Sequence, residues 1–216
     1  MITTAEPVLE KVSSELNEQT DDFSEKRIRY FNTSVKHILS LYKWAWSRKK
    51  TTITLTSSTE YDLTTLISDY NVSWGLHSVE DANGKTIGSI DFSERKEFSS
   101  AYMTLTPDNK KLVLTTGFSA GTVLTIWYYA EHQDVAAHTS TLNISIPYSV
   151  EEALLLYIQY KVHKGKRQRY DWRNALLDFK EQIDQLRLQE ASNKARNKPR
   201  IVPNFRAQFG LTRKYR

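Results

Sequence analysis

The chain has no cysteine. That excludes disulfides, thiolate nucleophiles and cysteine-ligated metal sites, and it fits a reducing compartment. No apolar run approaches the roughly 18 residues that a membrane span needs. The opening MITTAEPVLEKV lacks an apolar signal core, so secretion is not expected. Without a signal, the sequons at Asn32-Thr33-Ser34, Asn71-Val72-Ser73 and Asn143-Ile144-Ser145 read as chance matches. There is no internal repeat. The 216 residues bound one main domain with appendages, and 39% hydrophobic content with 12% aromatics suffices for a core.

The stretch 193–216, which reads NKARNKPRIVPNFRAQFGLTRKYR, contains no acidic residue. It carries Lys194, Arg196, Lys198, Arg200, Arg206, Arg213, Lys214 and Arg216. Pro199, Pro203 and Gly210 break any helix there. Yet Ile201, Val202, Phe205, Phe209, Leu211 and Tyr215 are spread through it. A purely disordered basic segment is usually poor in aromatics. Cations interleaved with aromatic anchors predict a segment that orders when it docks on a partner.

Outside that stretch, 22 basic residues face 25 acidic ones. The pI of 9.2 is therefore a property of one end. A nucleic-acid-binding domain carries its positive patch on a folded face. In this chain the body is mildly acidic, and Glu6, Glu10, Glu15, Glu18, Asp21, Asp22 and Glu25 make the N-terminal end distinctly so. A chain acidic at one end and basic at the other can pair head to tail with copies of itself or with a neighbour.

The apolar spacing predicts a short helix from Glu6 to about Asn17, with Val8, Leu9, Val12 and Leu16 on one side. Ile28, Phe31, Val35, Ile38 and Tyr42 form a second helical stripe, with Ser24 as its N-cap and Trp44-Ala45-Trp46 sealing its end. From Thr51 the period changes to that of strands. Asn83-Gly84 marks a turn. Tyr102–Thr106 and Lys111–Thr116 read as strands around the turn Pro107-Asp108-Asn109, and Val123–Tyr129 as a returning strand. Ser149 and Glu152 make a capping box for a very apolar helix, Val150 to His163, whose wide apolar face predicts contact on two sides and a surface for self-association. Asp171 caps a second helix with Trp172, Leu176, Phe179, Ile183 and Leu186 in register, completing an αα-hairpin.

Chemistry-bearing motifs are weak. Gly117-Phe118-Ser119-Ala120-Gly121 matches the G-x-S-x-G nucleophile elbow, but a strand rather than a helix follows, so a hairpin with glycines at its bends is the better account. Gly84-Lys85-Thr86 lacks the earlier glycine of a phosphate loop. His37, His77, His132, His138 and His163 have no helical metal spacing and read as solvated. Glu151 and Glu152 sit at a helix start, where they favour the macrodipole. The turn with Lys164, Lys166, Arg167 and Arg169 is the one feature of the body that could touch DNA phosphates. No cofactor or metal is expected.

The order of these parts carries a resemblance. Tyr30-Phe31-Asn32 leads to Trp44-Ala45-Trp46; a β unit opens near Tyr61-Asp62-Leu63; a strand ends in Leu124-Thr125-Ile126-Trp127-Tyr128-Tyr129-Ala130; then come Ile146-Pro147-Tyr148-Ser149-Val150-Glu151-Glu152-Ala153-Leu154 and a helix pair. Over about residues 24–190 this resembles the head-to-tail adaptor (connector) proteins of tailed bacteriophages, including the tail-tubular-protein-A-like group. The resemblance implies a virion protein at the head–tail junction, assembled in the host cytoplasm. It implies a homo-oligomeric ring, commonly of twelve copies, between the portal protein and a tail or nozzle protein, with double-stranded DNA passing through it. It carries no catalytic residues, no metal and no membrane partner. It suggests that Arg200, Ile201, Phe205, Arg206, Phe209, Leu211, Arg213, Tyr215 and Arg216 dock on the portal. The acidic segment before Ser24 and the stretch from Asp81 to Phe98 depart from the pattern.

The expectation is an α+β fold. An acidic segment, 1–23, precedes an adaptor domain, 24–192, and a basic extension, 193–216. Helices at 24–46, 149–163 and 170–190 bundle beside an antiparallel, sandwich- or barrel-like β unit at 51–130. The mildly acidic body suits a DNA conduit, since a strongly basic lumen would retain DNA. The alternative is a regulatory nucleic-acid-binding protein using the basic turn and extension on phosphates; a distant third is a hydrolase using Ser119.

Overall fold

The computed structural model describes residues 1–16, 25–97, 100–115, 117–165 and 169–196. The fold is α+β, with helices α1 (Glu6–Leu16), α2 (Glu25–Leu41), α3 (Leu63–Leu66), α4 (Glu151–Gly165) and α5 (Arg169–Arg196). The strands are β1 (Arg48–Thr54), β2 (Glu60–Asp62), β3 (Leu76–Glu80), β4 (Met103–Leu105), β5 (Lys111–Leu114) and β6 (Val123–Tyr129).

Helix α4 is the centre of the helical part. It packs against α5, α2 and α1, and Ala153, Leu154, Leu155, Tyr157, Ile158, Tyr160 and Val162 are buried around most of its girth. A helix apolar on nearly every side must be enclosed. The enclosure is internal, so the broad apolar face expected to meet a neighbouring copy is already covered by three helices of its own chain. The amphipathic pattern of α1 has the same destination. Val8, Leu9 and Val12 join the core, Lys11 Nζ lies 2.7 Å from Glu151 Oε1, and Ile2 pairs with Ile146 through two backbone hydrogen bonds. Helix α1, within the segment set apart as 1–23, thus lies in the same core as α2 and α4.

Two starts differ from expectation. Ser149 lies inside a 3-10 turn, Tyr148–Val150, whose N-cap Pro147 offers no side-chain bond, so no capping box forms and α4 begins at Glu151. Helix α5 begins at Arg169, which puts Asp171 inside the helix, and it runs on to Arg196, so the first residues of the basic extension are helical.

The β unit comprises two three-stranded antiparallel sheets, ordered β1-β6-β3 and β2-β5-β4. Strand β6 alternates as a half-buried strand should, with Leu124, Ile126 and Tyr128 inward. Strands β4 and β5 form the expected hairpin around Asn109, whose φ is 57°. The expected return of β6 onto β5 does not occur. Gly117 to Gly121 is a crossing from one sheet to the other, with φ of 110° and 86° at its two glycines. Local turn chemistry marked the bend but could not select the partner strand.

Candidate docking cleft

The C-terminal end of α2 exposes backbone carbonyls that no helical turn follows. Three side chains distant in sequence or structure satisfy them. The indole N–H of Trp44 donates to Ile38 O at 2.7 Å, that of Trp74 to Leu39 O at 2.8 Å, and the Arg187 guanidinium to Leu41 O at 2.7 Å. The expected sealing by the Trp44–Trp46 segment is therefore literal for Trp44, which is 1% exposed and stacks with Trp46 at 6.3 Å between centroids.

Helix α5 has 28 residues against 15 in α4. At 1.5 Å per residue its last turns must overhang. Under the overhang lies a cleft of about 770 Å³. Its apolar lining includes Trp44, Trp46, Val150 and Leu186, and its polar lining Arg48, His77, Glu190, Asn193 and Lys194. Glu190 accepts the Ala45 N–H and is thereby committed, with Lys194 Nζ at 4.0 Å. Lys194 also reaches the Tyr42 hydroxyl at 3.4 Å.

The rim is cationic. Arg48 Nη1 lies 3.1 Å from His77 Nε2, and Lys43 Nζ sits 5.7 Å and 5.6 Å from the ring centroids of Trp74 and Tyr129. Burial lowers the pKa of His77, and the charges of Arg48, Lys194 and Lys43 lower it further, so the imidazole is held neutral and accepts from Arg48. The Trp46 indole nitrogen is enclosed without a hydrogen-bond partner. Such a cleft suits a binding partner that brings apolar groups and negative charge.

The residues singled out from sequence fall elsewhere. Of the basic turn, Lys164 lies in the last turn of α4 with its Nζ 3.2 Å from the Tyr160 hydroxyl and 5.5 Å from that ring's centroid. Arg169 opens α5, with its side chain outside the described residues; Lys166 and Arg167 lie outside them altogether. So do Arg200, Ile201, Phe205, Arg206, Phe209, Leu211, Arg213, Tyr215 and Arg216. Ser119 is exposed on the intersheet crossing and is followed by a turn and a strand, so the strand-to-helix context of a nucleophile elbow is missing.

Solvated histidines were expected, and His132 is buried instead. His132 is 2% exposed, with Nε2 3.0 Å from Asn32 Oδ1; burial lowers its pKa to about 4. His37 stacks on Tyr157 at 4.6 Å and meets Phe179 at 5.7 Å. No group of three or more metal-binding side chains converges among the described residues, and no described helix is long and apolar enough to cross a membrane. The sequence pattern did not disclose the cleft itself. Its Trp44–Arg48 wall is visible as an aromatic and basic run, but Lys194 reads as part of the extension, and His77 carries no local signal.

The family model for SU10 adaptor protein matches residues 3–203, and the chain belongs to that family. The match is consistent with the resemblance to phage head-to-tail adaptors. It also begins at residue 3, so the acidic N-terminal helix that looked like a departure lies within the family's extent. No curated protein matches the chain.

Proposed function

We propose that this adaptor sits at the head–tail junction of a tailed-phage virion, closed as a ring of about twelve copies beneath the portal protein and above a tail or nozzle protein, with DNA passing through. The observation that carries this reading is the family match, which runs from α1 through α5 into the basic extension. The charge distribution supports it. A body with 22 basic and 25 acidic residues offers DNA no strong electrostatic hold, while the basic extension is free of acidic groups.

In this reading the extension docks on the portal. Phe205, Phe209 and Tyr215 are the anchors, because aromatic and Arg side chains dominate interface energy, and Arg200, Arg206, Arg213 and Arg216 meet acidic groups that set register. One extension binds weakly; a ring of them engaging together binds tightly. Purified chains can remain monomeric until the portal presents a template. The test is truncation after Arg196, which spares α5. The truncated chain should fold and fail to join filled heads. Normal attachment and infectivity would refute portal docking, and a single copy per particle, measured by mass of the portal complex, would refute the ring.

A further inference from the structure

Helix α5 has a second face that the fold leaves uncovered. Ala175, Phe179, Ile183 and Leu186 are buried on its inner side. Leu177, Glu181, Asp184 and Leu188 follow one another at i, i+4, i+7 and i+11, which places them on one stripe of the opposite side. All four are exposed, and the two leucines stand 62% and 72% exposed. A large apolar side chain that open to water is individually ordinary, but two on one ridge with carboxylates between them form a patterned surface.

That ridge and the cleft are complementary. The ridge brings apolar groups and two carboxylates. The cleft brings an aromatic and aliphatic floor and the cations Arg48 and Lys194. Tyr148, 66% exposed beside the cleft-lining Pro147 and Ser149, extends the apolar rim outward. Asp184 does have an internal partner, Arg187 Nη1 at 3.5 Å, but its carboxylate side chain is 72% exposed and such i,i+3 surface pairs are weak. Because the ridge and the cleft use opposite sides of one helix, one chain cannot satisfy both with itself. A repeated contact of this kind is head to tail and closes when its rotation closes.

We propose that the cleft receives the α5 ridge of a neighbouring copy, with Leu188 seated on the aromatic floor and Glu181 and Asp184 meeting Arg48 and Lys194. This rests on the ring reading above and names the surfaces that build the ring. Duplex DNA, whose phosphates could also meet the two cations, is the rival occupant; it offers nothing to cover Leu177 and Leu188.

The cysteine-free chain makes the test direct. Asp184→Cys and Lys194→Cys are both at exposed positions of α5. In the assembled portal complex, mild oxidation of the double variant should give a ladder of cross-linked species up to the full ring. A mixture of the two single variants should stop at dimers. As a second measurement, Glu181→Lys/Asp184→Lys and Arg48→Glu/Lys194→Glu should each abolish incorporation, and the four changes combined in one chain should restore it. An intact ring with no ladder and no charge-swap rescue would overturn this interface and leave the ring reading standing. No ring at all on the wild-type complex would overturn both. Absent cross-linking together with salt-sensitive duplex binding that Arg48→Glu/Lys194→Glu abolishes would assign the cleft to phosphates and overturn the proposal.

Discussion

The indole N–H of Trp74 donates to the carbonyl of Leu39 across 2.8 Å, joining the loop before β3 to the last turn of α2. It fastens the β unit to the helical part. Trp74→Phe keeps most of the ring and removes the donor. The expected loss is about 1 kcal/mol of stability, since the carbonyl is left without that partner. Urea unfolding of the purified chain checks it, and an unchanged midpoint would mean that water replaces the bond.

Lys49 and Asp69 form the next fastening. Lys49 Nζ lies 2.5 Å from Asp69 Oδ2, while Tyr128 donates to Oδ1 at 2.8 Å and Asn143 to Oδ2 at 3.2 Å. Burial alone would raise the Asp69 pKa, but the bonds from Lys49 and Tyr128 and the Lys49 charge outweigh it and hold the carboxyl below its usual range. A carboxyl depressed on folding adds stability that is present above its unfolded pKa and is lost as pH falls below about 4. Lys49→Met should cost roughly 2 kcal/mol, by leaving a buried carboxylate short of its cation, and should move acid unfolding to higher pH. Tracking acid denaturation by circular dichroism for both proteins decides this.

His132 adds a separate acid sensitivity. Its pKa is lowered by burial from 6.5 to about 4, so the folded chain holds it neutral where an unfolded chain would protonate it. The unfolded state therefore binds more protons between those values, and stability falls as pH drops from about 6.5 to about 4, by up to about 1.4 kcal/mol per pH unit. Replacing His132 with Gln should flatten that slope. A wild-type stability flat from pH 7 to pH 5 would contradict the burial.

Asn32 holds that histidine in place. Its side chain meets Val135 twice, at 3.0 and 3.2 Å, and offers the oxygen that faces His132. Asn32→Leu strands the Val135 N–H and its carbonyl and the His132 ring nitrogen in the core. The expected loss is about 2–4 kcal/mol, read from thermal unfolding.

The intersheet crossing separates serine chemistry from glycine geometry. Ser119→Ala should leave folding, assembly and infectivity intact. Gly121 has φ of 86°, and a Cβ added there would meet nothing within 4 Å. Gly121→Val therefore tests conformation alone and should cost about 1 kcal/mol or more. Infectivity lost in a normally assembled Ser119→Ala particle would reopen a catalytic role.

What was legible in the sequence is what neighbours in the chain decide. The spacing of Ile28, Phe31, Val35 and Ile38 marks α2 because a helix brings every third or fourth side chain to one face. Pro107-Asp108-Asn109 marks the β4–β5 hairpin because those residues favour the turn. The excess of cations over acidic groups in 193–216 is likewise a property of the chain alone. Tertiary structure decided the rest. Strand β6 chose β1 and β3 over the nearer β5, α4 was closed around most of its girth by α1, α2 and α5, and Asn32 met His132 a hundred residues away. The cleft belongs to the same group: Ala45 and Glu190 are 145 residues apart. Periodicity records which face of an element is apolar, but not which surface will cover it. That choice is made by loop closure and side-chain packing across the whole chain, where entropy spent on distant contacts is repaid only once the core is complete.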